Sequence, residues 1–470
     1  MVVDTSALPD GTALLAGTAR VVITPPVGIH LTGFAGRAPS TGVHDDLTAT
    51  ALLLAERDPS GAARDDTRVA VVALDLLYMP GDTLVPAIKA QVERATGIPS
   101  DRVLLCCSHT HYGPVLNGRQ EGGEEPIAVA YHQALAHQIA GVILAASQNL
   151  RPVTLAVGRG SVKVGINRRE LRDGRIVLGQ NPPGTLDSEV LVWRFDAAGG
   201  PDVTPGAPAG WVRRSPETVA TIVNYACHPV SLTSSTRHVS ADYPGVMRGV
   251  VEKLVGGTCL FLQGAAGNIN PSLMIAEWDV PRRLGHALGA EATRALLLAE
   301  PVAAAPLRFA RQAAGLPALT PPSIDAGRAR VAELEQDRSR ILSQNPPNAG
   351  RLWWVDTVLE RTRKGLDALE SGRPLPPVDA TFAALRLGDT ALVTNPSELF
   401  CEIGMAIKQG SPFAHTAVVG YTDGAVGYIP TRAAYPEGGY EVERACRVNP
   451  EAGELLQETS LCLLGSLRDG

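Results

Sequence analysis

Short runs of apolar, mostly β-branched residues alternate along the chain with long stretches in which apolar positions recur three and four apart. The short runs predict strands over 18–23, 48–54, 69–74, 102–107, 153–158, 190–195, 218–225, 259–263, 381–387 and 390–394. The long stretches predict helices over 81–96, 126–149, 240–254, 280–299, 326–343, 352–371 and 396–409. Such alternation is the pattern of an α/β protein. Several strands succeed one another with no helix between them, so the sheets should be mixed, with helices flanking them. Two segments read as excursions. The Pro- and Gly-rich stretch 196–215 predicts a loop or turn insert. The stretch 320–377 holds two charged amphipathic helices split by QNPPNAG, which predicts a helical-hairpin insert, either lid or ornament.

Composition narrows the function classes. With 470 residues, a prior of ~150 per domain suggests about three domains. No run approaches the ~20 apolar residues that cross a bilayer, so no integral membrane segment is expected. The net charge is −6 and no basic stretch stands out, which argues against nucleic acid as a partner. The seven cysteines are odd in number, widely spaced and without CxxC, so neither a disulfide framework nor a thiolate zinc site is indicated. The first residues lack a basic segment followed by a long apolar one, which makes the cytoplasm the expected compartment. The sequence is open to a homo-oligomer. Aromatic residues are few (seven Phe, five Trp, nine Tyr), so a long lipid groove is not advertised.

Five stretches carry polar chemistry. His109 and His111 follow the apolar run VLLCC, and on an extended chain both imidazoles would face one side. That suits two metal ligands, one ligand and one acid/base, or simple hydrogen bonding at a strand end. His228 closes a second β-like run, TVATIVNYAC; alone it reads as a structural histidine, but two strands each ending on His raise the metal reading. Glu398, after Asn395-Pro396-Ser397, reads by itself as an acidic residue in the first turn of a helix. The stretch 421–440 holds four tyrosines among Gly and Pro, with little around them to bury four phenols. QGAAGNIN, residues 263–270, is a Gly-rich turn without the spacing of a nucleotide loop. GxSxG and HExxH are both absent.

Together these motifs resemble the catalytic domain of the neutral/alkaline non-lysosomal ceramidase family. ITPPVGIHLTGFAGR, VVALDLL, SHTHYGP, GINR, NYACHPVSL, QGAAGNINP, NPSEL and GYIPTRAAYPEGGY occur in the family's order. The resemblance implies a ceramidase-like α/β catalytic domain spanning the whole chain, interrupted by the 320–377 insert and lacking the family's C-terminal β-sandwich. It also implies one zinc ion held by His109, His228, Glu398 and Tyr428. His111 falls beside the metal, Tyr440 on a second family tyrosine, and Arg168 on the family arginine, with Arg169 an adjacent rival. One departure is chemical: Asn270 occupies the place of a serine considered important for activity, and an amide is no nucleophile.

These assignments lead to a zinc-dependent hydrolase in which His111 moves the proton and Tyr440 and Arg168 donate to the developing oxyanion. Asn270 and Arg169 would bind substrate. The expected substrate is an N-acyl or otherwise small polar amide, with ceramide the second choice. Ester, lactone or glycosidic cleavage on the same site, or metal or carbohydrate binding without catalysis, are the competing readings.

Overall fold

The structure is a computed structural model that describes residues 14–58, 60–116, 124–198 and 217–469. Most of the Pro/Gly-rich stretch 196–215 lies outside them. The largest sheet runs in the order Thr258–Gln263, Thr218–Tyr225, Glu189–Ala197, Arg151–Ser161, Leu14–Val22, Thr48–Glu56, Val69–Leu74, Val103–Cys107. Its outermost pairs are parallel and its inner pairs antiparallel, which makes it the mixed sheet expected. A second sheet joins Leu307–Leu316, Val378–Leu387, Thr390–Thr394 and His415–Val419, its last pair parallel.

Side-chain alternation explains the layering. Val69 and Val71 point to one side of the large sheet and pack with Leu385, Leu387 and Leu392 of the second sheet. Ala70, Val72 and Leu74 point the other way and meet Ile88 and Val92 of the helix Leu84–Thr96 and Leu135 and Ile139 of Pro126–Gln148. The second sheet's outer face is covered by Cys401–Gly410 and Ala452–Asp469. The layers therefore run helix, sheet, sheet, helix, with the edge strand Leu307–Leu316 only partly covered. Among the described residues, Pro126–Gln148 is long and apolar enough to cross a membrane by length and composition. The face bearing Tyr131, Leu135, Ile139 and Ile143 is buried in the core.

The helical hairpin is present as Ile324–Leu342 and Ala349–Ser371, each capped at its start by Ser323 or Asn348 accepting from the first turn. The structure departs from the sequence reading at Glu398. Residues Ser397–Leu399 form a short strand paired in parallel with Gly427–Ile429, and the helix begins only at Cys401. The ladder keeps this turn extended, so Glu398 is not a helix-start residue.

Candidate active site

Parallel strand pairs from both sheets end at one place. Val69–Leu74 and Val103–Cys107 lead there, as do Thr218–Tyr225 and Thr258–Gln263, and Thr390–Thr394 and His415–Val419. Their outgoing turns are stitched together by backbone bonds: Cys107 N–H donates to the Tyr421 carbonyl, Gly264 N–H to Tyr225, and Gly420 N–H to Gln263. Carboxyl ends of strands converging on a crevice are where α/β sheets place their chemistry. Gly267 is required in this weave, since a Cβ there would overlap the Glu398 carbonyl oxygen.

His109, His111 and His228 meet at this floor, each offering a ring nitrogen within 4.8 Å of the others. Strand alternation is not the reason that the first two share a side. The strand stops at Cys107, and His109 takes a left-handed backbone (φ 69°) rarely adopted by non-glycine residues. Each histidine has one nitrogen committed to a backbone carbonyl: His109 Nδ1 to Leu77 at 2.8 Å, His228 Nδ1 to Ala266 at 2.7 Å, His111 Nδ1 to Gly33 at 3.2 Å. A carbonyl only accepts, so each Nδ1 carries the proton and each Nε2 keeps its lone pair. The Nε2 atoms of His109 and His228 both lie 3.3 Å from Glu398 Oε2. His111 Nε2 is buried with no partner.

Electrostatics sharpen the donor set. Burial, with Arg168 nearby, brings His228 down to about 4, and burial likewise holds His111 well below its usual range. Burial pushes the Glu398 carboxyl up, but His109 and His228 outweigh it and hold it well below the carboxylate range. Neutral imidazoles with free lone pairs, facing one carboxylate and an orphaned nitrogen, are a donor set that fits a metal ion such as zinc. The three histidines could hold such an ion.

A cavity of about 590 Å³ opens above this floor, with His109, His111, Glu398, Tyr428 and Tyr440 on its wall. Tyr428 stacks loosely on His228 and meets Tyr440 edge-on, at ring-centroid distances of 6.5 and 5.9 Å. Arg168 and Asn270 lie behind that wall. The Arg168 guanidinium sits 5.3 Å from the Tyr428 ring, with Nε on Glu441 Oε1 at 2.8 Å and Nη1 on Asn270 Oδ1 at 3.0 Å. Burial acts against its charge, but Tyr428 and Glu441 raise its pKa overall. Arg169 turns further away, to Glu441, Glu437 and the Gly438 carbonyl, and so ties down the turn before Tyr440. Direct substrate contact by Arg168, Asn270 or Arg169 is thus not what the wall shows; the carboxylate of Glu441, fully buried, has drawn both arginines inward.

Sequence reasoning missed several residues. Tyr421 packs its ring 4.0 Å from that of His109, and its hydroxyl is buried without a partner. The cluster of four tyrosines was the available signal: three of them reach the site, while Tyr435 donates to the Val448 carbonyl. Phe34 and Arg37, together with Ala349, Gly350, Trp353 and Trp354 of the hairpin, also line the cavity. Two buried acids, Asp75 and Asp242, have partners of their own. Asp75 takes a two-bond contact from Arg248 at 2.6 and 2.7 Å, and Asp242 accepts from the Ser231 and Tyr243 backbone N–H groups.

No protein-family model and no curated protein matches this sequence. Solved structures do. The neutral ceramidase from Pseudomonas aeruginosa matches at a TM-score of 0.70 with 18% identity, over 98% of this chain and 75% of that one. A ceramidase complexed with C2 matches at 0.70 with 19% identity, over 97% and 76%. At such identity the likeness speaks for architecture, and it covers nearly every residue here: the chain has the fold of neutral ceramidase.

Proposed function

We propose that this protein is a zinc-dependent hydrolase that cleaves the C–N bond of a compact N-acyl amide. The observation that carries the reading is the convergence of His109 Nε2 and His228 Nε2 on Glu398 Oε2 at 3.3 Å each, at the base of a cavity, with both Nδ1 atoms committed elsewhere. His109, His228, Glu398 and Tyr428 would hold the ion. Bound there, zinc supplies a Lewis acid that lowers the pKa of water from ~15.7 towards ~7.

The chain's own residues do the rest. His111 presents an unpartnered Nε2 at the same floor; it accepts the proton of the attacking water and delivers it to the departing nitrogen. Tyr440 stands on the wall with its phenol pushed up to about 12, mainly by burial, so it keeps its proton and donates to the carbonyl oxygen as charge develops. Losing one such donor costs about 3 kcal/mol of barrier. Arg168 acts through Tyr428, countering negative charge on the phenol and holding the ring in place. The amide of Asn270 is no nucleophile and its oxygen accepts from Arg168, which favours water as the attacking group.

The cavity volume lies in the ~300–1,000 Å³ range of pockets for drug-sized ligands, which favours a compact amide over ceramide. Phe34, Trp353 and Trp354 favour an apolar acyl group, and so keep ceramide as the second reading. The test is metal analysis of purified protein, with amine release from N-acyl amides, matched esters and ceramide measured with and without chelator. One zinc per chain, chelator-sensitive amide cleavage and short acyl chains preferred are expected. Full zinc occupancy in a His109→Ala/His228→Ala double variant would overturn the site.

A further inference from the structure

Four arginines are buried among the described residues: Arg37, Arg168, Arg169 and Arg248. Three have carboxylate partners. Arg168 and Arg169 share Glu441, and Arg248 grips Asp75. Arg37 does not. Its Nη2 donates to the carbonyl oxygens of Thr32 and of His111, the latter at 2.7 Å, and its Nη1 reaches the Thr236 carbonyl at 3.4 Å. Its Nε is buried with no partner, and no carboxylate among the described residues pairs with it. A full positive charge, 6% exposed, is therefore held against neutral acceptors only. Burying a charge without a counter-charge is costly, and natural interiors seldom leave it so.

The position of this charge matters. Arg37 is on the wall of the active-site cavity and is bonded to the backbone of His111. The neighbouring rings of Phe34 and Tyr112 have their centroids 5.1 and 5.6 Å from its guanidinium carbon. Among the described residues the wall's one acidic side chain, Glu398, is already engaged by His109 and His228. Among the described residues, an incoming anion would thus find one cation without a counter-charge beside the reacting floor.

We propose that Arg37 recognises a carboxylate on the substrate, which makes the site selective for N-acyl amino acids over uncharged amides. The inference rests on the hydrolase reading above and names its substrate class. In an N-acyl amino acid the carboxylate is one carbon from the amide nitrogen. That short spacing suits a guanidinium held on the backbone of His111 while the amide lies at the histidine floor. The acyl group would extend towards Trp353 and Trp354. Hydrolysis adds one water across the C–N bond. Oxygen and one proton form the carboxylic acid, the other proton goes to nitrogen, and a free amino acid leaves.

The experiment compares N-octanoyl-glycine with its uncharged methyl amide on the zinc-loaded protein. A charge-assisted hydrogen bond is worth ~1.5–3 kcal/mol, so the acid should be preferred about 10- to 100-fold in kcat/KM. Arg37→Gln should collapse that ratio, and Arg37→Lys should retain part of it. The same pair titrated calorimetrically onto metal-free protein gives a second readout, in which the acid should bind about tenfold or more tightly and lose that margin in Arg37→Gln. Equal use and equal binding of acid and amide by the unaltered protein would overturn the inference. If no amide is cleaved, the hydrolase reading fails, while the calorimetric preference still decides the role of Arg37. Should Arg37→Gln fail to fold, the wild-type ratio and Arg37→Lys decide it.

Discussion

The floor and the far wall of the cavity are built in opposite ways. His109, His228 and Glu398 stand where strands from two sheets end, their rings fixed by backbone carbonyls and their turns laced together. The far wall is the start of the second hairpin helix, Ala349–Ser371. The hairpin has its own small core of Leu334, Ile341, Val355, Val358 and Leu359. It meets the body where Gly350 lies so close to the 35–36 backbone that a Cβ would sit 2.5 Å from the Ala35 carbonyl carbon, where Trp354 meets Tyr440 edge-on, and where Arg361 donates to the Glu443 and Arg444 carbonyls. The contrast teaches that the reacting groups are locked by the fold as a whole, while the substrate-facing surface is a separable unit. Chemistry and selectivity can then be disturbed independently.

The largest effect should come from breaking the floor. His228→Ala removes a donor whose Nε2 faces Glu398, and zinc content should fall together with kcat/KM by a thousandfold or more, on the order of what metal activation of water supplies. Elemental analysis beside kinetics checks this; retained zinc with lost activity would move His228 from ligand to acid/base. Next is the joint between floor and wall. Glu441→Gln withdraws the carboxylate shared by two buried arginines, and breaking such a pair costs about 3–5 kcal/mol. Denaturant unfolding should report it. Smaller again is Gly267→Ala, whose Cβ would push on the Glu398 carbonyl. Zinc affinity should drop about 10- to 100-fold, as for other disturbed supports of a metal ligand, and because the atoms in the way are backbone, overall stability should fall by about 1–3 kcal/mol. Competition with a fluorescent chelator measures it.

Much of the floor was legible because its residues end strong patterns. VLLCC before His109 and TVATIVNY, ending three residues before His228, are strands in both sequence and structure. The resemblance to the ceramidase family then assigned Glu398, Tyr428 and Tyr440 to the same site, where local pattern alone made Glu398 a helix start. What escaped was set by tertiary context. Gly165–Arg172, written GINRRELR, is a strand whose arginines point to a buried glutamate some 270 residues away, a pairing no local window contains. The helix Ala452–Asp469 and the strand Leu307–Leu316 were also missed; the latter mixes Arg, Gln and Ala on a half-covered sheet. A small number of aromatics argues against an apolar lining, yet here position outweighs number. Phe34 comes from one loop and Trp353 and Trp354 from a distant helix, and folding brings all three to one cavity.

The smallest effect should fall on the wall, and it tests whether the two regions are as separable as their packing suggests. Trp354 lines the cavity, and its ring centroid lies 6.1 Å from that of Tyr440. Trp354→Ala removes apolar surface from the place where an acyl group would lie, without touching any donor that faces Glu398. At ~25 cal/mol per Å² of apolar surface left uncovered, about 1.5 kcal/mol and hence roughly a tenfold rise in KM is expected for an octanoyl amide, and less for an acetyl one. Zinc content should stay at its wild-type value. The dependence of KM on acyl-chain length is therefore the measurement, read beside metal content in the same preparation. A chain-length dependence that flattens while zinc is retained means that the hairpin sets selectivity alone. A fall in zinc content would mean that the hairpin, through Tyr440 and Tyr428, also holds the floor.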